Sequence, residues 1–351
     1  MKNKFFCITA IIATIAFASL ACGGGDSSGS GMAPLTTIDD IEAYLADKTG
    51  TVDLSVKIDL GNMTDVNGNW RKLLTTINNA GVNINLDLSA CTIPKITVPG
   101  LGDFYVFDPD YTVSTGKNKI ESLVLPNTTQ GMEEGTTSNP TFKHFSSLKS
   151  VEGSDIIVSD YAFYGLDALA TANFPKAIIT GDYAFGNCTA LTTVNVPKVT
   201  FFSAHTFDGC SNLTTVNLPS VTSSPNSANM FISEGPLIEG MVIEHDTFNG
   251  CTNLTQISLP IGLTTIHPSV FESSGLTSIT LPATVDHIRD DALKNCTSLV
   301  TVTCLATTPP ALDSNAFSGT TIGQIKVPAS SVEAYKSAAN WSTYSDKISA
   351  L

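Results

Sequence analysis

Charge is scarce in this chain. Only 14% of its 351 residues are Asp, Glu, Lys or Arg, against about 25% in an ordinary soluble domain. Bases are the scarcer sign: 18 Lys and Arg face 32 Asp and Glu, for a net charge of −14. With no basic cluster to neutralise phosphates, nucleic acid is excluded as a partner. There is no C-x-x-C pair and no Walker or dinucleotide glycine motif, and the one G-x-S-x-G string, Gly25 to Gly29, lies in a Gly/Ser tract and not at a strand-to-helix elbow. Zinc ribbons, hydrolase chemistry of that type and nucleotide cofactors therefore find no support. The five histidines, His144, His205, His245, His267 and His287, fall into no column relative to the repeats below. They read as scattered loop residues, so the expectation is no metal site, no cofactor, no catalytic residue and no enzyme. What is abundant is apolar residue, 42% of the chain, enough for a core. Much of the surface must then be uncharged Thr, Ser and Asn.

The start of the chain reads as an address. Lys2 and Lys4 precede a largely apolar stretch ending at Leu20, too short for a membrane span and closed by small residues, as in a secretory signal. Ser19-Leu20-Ala21-Cys22 resembles the cleavage box of bacterial lipoproteins, which implies a signal at residues 1–21 and an acylated Cys22. The Gly/Ser tract that follows suits a flexible tether over residues 22–34. The alternative is a plain secretory signal cut near Ala21, with Cys22 an ordinary residue. On the first reading the protein is exported and lipid-anchored in the bacterial envelope, at the outer membrane or cell surface.

A repeat fills the last two thirds. Ala184-Phe185-Gly186-Asn187-Cys188-Thr189-Ala190-Leu191-Thr192-Thr193-Val194-Asn195-Val196-Pro197 returns from Thr206 to Pro219 and again from Thr247 to Pro260. The leading Leu/Ile column runs through Ile120, Leu148, Leu169, Leu191, Leu213, Leu254, Leu276, Leu299 and Ile322. Phe163, Phe185, Phe207, Phe248, Phe271 and Phe317 keep step, with Leu293 standing in once. A fixed period of 22–23 residues means a solenoid, here with one short parallel strand per turn. Cys188, Cys210, Cys251 and Cys296 occupy one column and read as a buried reduced ladder; a bridge between Cys188 and Cys210 stays open. Asp160 and Asp182 precede equivalent Tyr-Ala-Phe elements and suit turns rather than calcium.

These residues resemble the leucine-rich repeats of BspA-like, treponemal-type bacterial surface proteins over residues 120–328. The fold class expected is an α/β leucine-rich-repeat solenoid, with an N-terminal α/β cap at residues 35–119 and a C-terminal cap at 329–351. In the first cap, Thr37 with Asp40 opens one helix and Asn69 a second, which Gly81 closes. Val52, Leu54, Val56 and Ile58, then Val82, Ile84, Leu86 and Leu88, alternate as strands. In the second cap, Ser330 and Glu333 fit a capping box.

Two surfaces are candidates for binding. Outward strand positions Thr193, Asn195, Thr215, Asn217, Gln256 and Ser258, continued by Ser278, Thr280, Thr301 and Thr303, should form a ladder of short hydrogen-bonding groups. The plain reading is that Thr suits an exposed strand. The second surface is an insertion over residues 220–244, where the repeat spacing reaches 41 residues; it carries Met230, Phe231, Leu237 and Met241. The resemblance implies adhesion to a host or bacterial protein or other macromolecule, with the membrane reached through the lipid; a structural scaffold facing the periplasm is the alternative. Cys22→Ser should leave the protein unprocessed or released. Metabolic labelling with a fatty acid checks this: label should be lost, and label retained by the variant refutes the anchor.

Overall fold

A strand of three to five residues cannot hold itself together in water, and one coil of 22 residues buries too little to fold alone. The computed structural model describes residues 33–98, 102–154, 157–218 and 242–351; Cys22 and its flanking tract lie outside them. Each short strand is stabilised by the next copy. On one face, β1 (Thr51–Ser55), β2 (Asn83–Asp87), β3 (Ile120–Val124), β4 (Ser150–Glu152), β5 (Thr171–Asn173), β6 (Thr193–Asn195) and β7 (Thr215–Asn217) form one seven-stranded sheet in chain order. Its pairs are parallel, and β6 meets β7 with Thr193 opposite Thr215 and Asn195 opposite Asn217. A second sheet on the same face holds β8 (Ser278–Leu281), β9 (Thr301–Cys304), β10 (Gln324–Val327) and β11 (Ile348–Ala350). In addition to the expected strand, each coil carries a two-residue strand on its other side. Ile157–Val158, Ile179–Thr180, Phe201–Phe202 and Val242–Ile243 form one such parallel row.

The first cap is built by two helices against β1 and β2. In α1 (Ile38–Leu45) the N-cap Thr37 Oγ1 accepts from the Asp40 amide at 3.1 Å, the satisfied first turn that the Thr/Asp spacing predicts. The amphipathic α2 (Asn69–Ala80) buries Trp70, Leu73, Leu74 and Ile77. It ends at Gly81, whose φ of 71° is the left-handed cap that glycine adopts without steric cost. Asn69 is its first helical residue, not the cap: Gly68 takes that place, and Asn69 Nδ2 donates to the Asp59 carbonyl. A hairpin of Lys95–Val98 with Gly102–Phe107, which the sequence reading missed, brings Phe107 against Trp70. Beneath it Lys117 is fully buried. Its ammonium donates to the Asp110 carbonyl at 2.6 Å and faces the Phe145 ring, and burial lowers its pKa to about 8.

Two features repeat through the coils. The first is a spine of stacked rings. Phe142, Phe163, Phe185, Phe207, Phe248 and Phe271 are buried and pack successively at centroid distances from 4.6 to 5.6 Å. Phe107 joins this spine to Trp70 in the cap. Removing one such ring costs about 3–5 kcal/mol. The second is a pair of left-handed turns in most coils. Two residues after the Phe, or after Leu293 in its place, come Gly165, Asn187, Gly209, Gly250, Ser273, Asn295 and Gly319, all with φ between 56° and 73°. Gly and Asn recur there because other side chains meet the following carbonyl. Two residues before the Phe come Tyr161, Tyr183, His205, Asp246 and Ser269, also left-handed, and Asp291 holds the same place before Leu293.

The cysteine column lies beneath these turns. Cys188, Cys210, Cys251 and Cys296 are free, buried thiols. Each donates to the carbonyl of the Phe one coil back: Phe163, Phe185, Phe207 and Phe271, at 3.0, 3.0, 3.3 and 2.9 Å. The column is thus a hydrogen-bonding device as well as filler. Asp160 also acts between coils, accepting from the Asp182 amide at 2.8 Å.

The C-terminal cap seals the last coil differently from the expected capping box. Ser330 lies in a 3-10 turn (Ala329–Ser331), and the N-cap of α3 (Val332–Ser337) is Ser331, whose hydroxyl is turned inward to the Thr307 carbonyl at 2.7 Å. Tyr335 Oη donates to the Ala306 carbonyl and Trp341 Nε1 to the Pro310 carbonyl, at 2.9 and 2.8 Å. Docking against the exposed end of the coil outweighs a local cap, because both aromatic side chains are fully buried there.

Burial pushes the thiol pKa values up, to about 11 in Cys91 and about 12 in Cys188 and Cys304, with Cys210 and Cys251 raised as well. The folded state keeps these protons while the unfolded chain releases them near pH 9. Stability is therefore fully present below pH 9 and lost as pH rises from there toward 12. Cys210→Ala should cost about 1–2 kcal/mol in urea unfolding at neutral pH and reduce the alkaline loss. Reductant should leave the Tm unchanged; a large drop would mean that these thiols are bridged.

Candidate functional site

Across the 41-residue spacing the two sides of the repeat behave differently, although the two-residue row itself ends at Val242–Ile243 and a second one starts at Thr265–Ile266. On the turn side the backbone ladder passes the 41-residue spacing unbroken: the amides of His205, Phe207 and Gly209 donate to the carbonyls of His245, Thr247 and Asn249 at 3.1, 2.9 and 2.8 Å. The two-residue row also continues, with Phe201 opposite Val242. Val242 and Ile243, counted from sequence in the insertion, are therefore part of a coil; both are buried. On the strand face the ladder stops. Thr214 donates back to Thr192, and the pattern resumes only where Thr277 donates to Thr255. Among the described residues no backbone hydrogen bond joins 214–218 to 255–259.

The expected continuous ladder of Thr and Asn is thus divided. Thr193 and Asn195 lie half-buried on β6, and Thr215 and Asn217 lie exposed on β7. Asn195 Nδ2 donates to Asn173 Oδ1 at 2.7 Å and Asn217 Nδ2 to Asn195 Oδ1 at 3.3 Å, an amide ladder across three coils. Gln256 and Ser258 are exposed but belong to no strand, because the neighbour that should pair with them has moved away. Ser278 and Thr280 open the second sheet.

Between the two sheets lies a groove of about 460 Å³, with Thr215, Asn217, Gln256, Ser258, Ser278 and Thr280 among its lining residues. Val216, Leu218 and Ile257 line it too. They are half-buried, whereas Val194, Val196 and Ile279 in the same columns are fully covered. In the regular coils these columns are core, and the split exposes them here. The signal that could have found them is the abnormal spacing itself. Among the described residues no lining residue is ionisable, so their side chains offer hydrogen bonds and apolar contact without charge. Met230, Phe231, Leu237 and Met241 lie outside the described residues.

A family model for the BspA-type leucine-rich-repeat region matches six copies over residues 114–233 and 239–344. The chain belongs to this family. No curated protein matches it. Among solved structures, a leucine-rich-repeat protein from Bacteroides ovatus is 19% identical over 86% of this chain and 84% of its own, with a TM-score of 0.46. The T. pallidum leucine-rich-repeat protein is 18% identical over 60% and 67%, at 0.29. A leucine-rich cell surface protein from Faecalibacterium prausnitzii is 18% identical over 58% and 86%, at 0.23.

For a BspA-type repeat chain the histidines hold a surprise. Read as scattered, they are not all apart: His205 and His245 meet beside Asp246 on the turn side. The coil stacking brings together what 40 residues of sequence separate. Among the described residues no helix is long and apolar enough to cross a membrane.

The amide ladder yields a direct check. Asn195→Ala removes both bonds of the middle rung and should cost about 1–2 kcal/mol in urea unfolding. Asn217→Ala, exposed at the end of the ladder, should cost less. Equal costs would show that the rungs do not act together.

Proposed function

We propose that this chain is a non-catalytic binding module, displayed on the bacterial envelope by a lipid on Cys22, that engages a protein or other macromolecule through its strand face. The groove between the two sheets carries this reading. An interrupted sheet leaves edge backbone groups and half-buried Val216, Leu218 and Ile257 open beside polar side chains. That combination of apolar floor and short hydrogen-bonding rim is what recognition surfaces use. Family membership and the cell-surface description of the F. prausnitzii relative support the same reading. Leu218, which lines the groove, is the last described residue before 219–241, and we propose Met230, Phe231, Leu237 and Met241 in that segment as a second contact.

The test is a photo-crosslinking residue placed at Asn217 or Gln256, with Asp291 on the turn side as control, on cells bearing the intact protein. Crosslinks to a macromolecular partner from the face positions alone are expected, and they should survive high salt because the lining is uncharged. Thr215→Arg should weaken capture of that partner by about tenfold or more while shifting stability little, since the site is exposed. Deleting Ser223 to Gly240 should also weaken capture with near-normal unfolding. Crosslinks equally frequent from Asp291 would refute the face as the site. Protection of the protein from external protease would favour the periplasmic scaffold instead.

A further inference from the structure

We propose that His205, His245 and Asp246 bind one divalent transition-metal ion, Zn²⁺ foremost, which clips the coil before residues 219–241 to the coil after them. The residues sit in the turns of adjacent coils, where the His205 amide donates to the His245 carbonyl at 3.1 Å. One ligand atom from each of the three lies within 4.8 Å of the others. Asp246 Oδ2 is 2.9 Å from His245 Nδ1 and 3.8 Å from His205 Nε2.

The surroundings prepare these atoms as ligands. Asp208 Oδ2 lies 3.1 Å from His205 Nδ1. A proton held there by the carboxylate leaves the Nε2 lone pair directed toward Asp246, the orienting arrangement that metal-bound histidines use. The His205 ring is fixed in plane by Tyr183, stacked at 4.2 Å and 5°. Asp246 Oδ1 is occupied by Asn249 Nδ2 at 2.9 Å, so Oδ2 is the oxygen left for an ion. His205 and Asp246 are about one fifth exposed and His245 about half, which gives an ion a way in and leaves His245 free to swing.

Chemistry narrows the ion. Two imidazoles and one carboxylate, with water as a fourth ligand, match a tetrahedral Zn²⁺ site; bond lengths of about 2.0–2.1 Å put ligand atoms about 3.3 Å apart. Calcium and magnesium, which want six or more oxygens, are poorly served. An ion here would link the coils on the side that remains laddered, at the junction where the strand face has parted.

The experiment uses the full processed chain after chelator treatment, dialysed against Zn²⁺ alone, with Ca²⁺ as the control ion. We expect one Zn²⁺ per chain at micromolar concentration, a raised Tm with Zn²⁺, and no effect of Ca²⁺. His205→Asn, His245→Gln and Asp246→Asn should each weaken Zn²⁺ binding by about tenfold or more; Asn is chosen because it tolerates the left-handed backbone at 205 and 246. His287→Gln, whose ring faces Asp313 away from the cluster, should bind like the parent. Failure of the parent to bind overturns the proposal, as does unchanged binding in all three variants or equal loss in His287→Gln. Diethylpyrocarbonate modification of the parent gives an independent measurement should a variant unfold. Zn²⁺ should shield His205 and His245 but not His287, and equal labelling with and without Zn²⁺ overturns the site.

Discussion

No coil of this protein can bury its own apolar strip, and the stacking of each coil on the next is the constraint from which the structure follows. It is enforced at two depths. Phenylalanine rings pack face to face through the middle, and above them left-handed turns pass backbone hydrogen bonds from coil to coil. The thiols tie these layers together by donating to the carbonyls of the phenylalanines. A cysteine there fills a small volume and adds a second, inter-coil donor to a carbonyl that already accepts the amide three residues on.

Because stacking is enforced on the turn side, the protein can give up pairing on the other side and stay joined. The 41-residue spacing leaves the rings and turns in register, with Phe207 and Phe248 still 5.5 Å apart, yet parts the strand face into two sheets. One feature thus has opposite consequences on the two sides. The face gains a groove with a partly uncovered apolar floor. The turn side gains a crowded junction, where two histidines and an aspartate from neighbouring coils meet. The candidate functions sit there because the repeat is imperfect.

Both caps answer the same need at the ends of the stack. Trp70 extends the ring spine into the first cap through Phe107. Trp341 and Tyr335 close the last coil by donating to its carbonyls. Each end replaces a missing coil with buried aromatics whose one polar atom finds a backbone acceptor, which is the condition for covering a solenoid end without stranding its peptide groups.

By itself the sequence determined the period, the columns and hence the solenoid. Leu191, Val194 and Phe185 recur at spacings that only stacked coils can bury, and Thr37 with Asp40 and Gly81 marked helix ends through bonds made within a few residues. Local chemistry is legible in sequence because its partners are neighbours in the chain. Tertiary structure decided whatever depended on partners 20 to 40 residues away. It turned Ser331 inward instead of letting a capping box form at Ser330, and it gave the cysteines their carbonyl acceptors. It left Gln256 and Ser258 outside any strand and placed His205 against His245 and Asp246 across the long gap. A column of identical residues announces itself through the period, but a site assembled from unlike residues at adjacent positions does not. Only the stacking of one coil upon the next makes those residues neighbours.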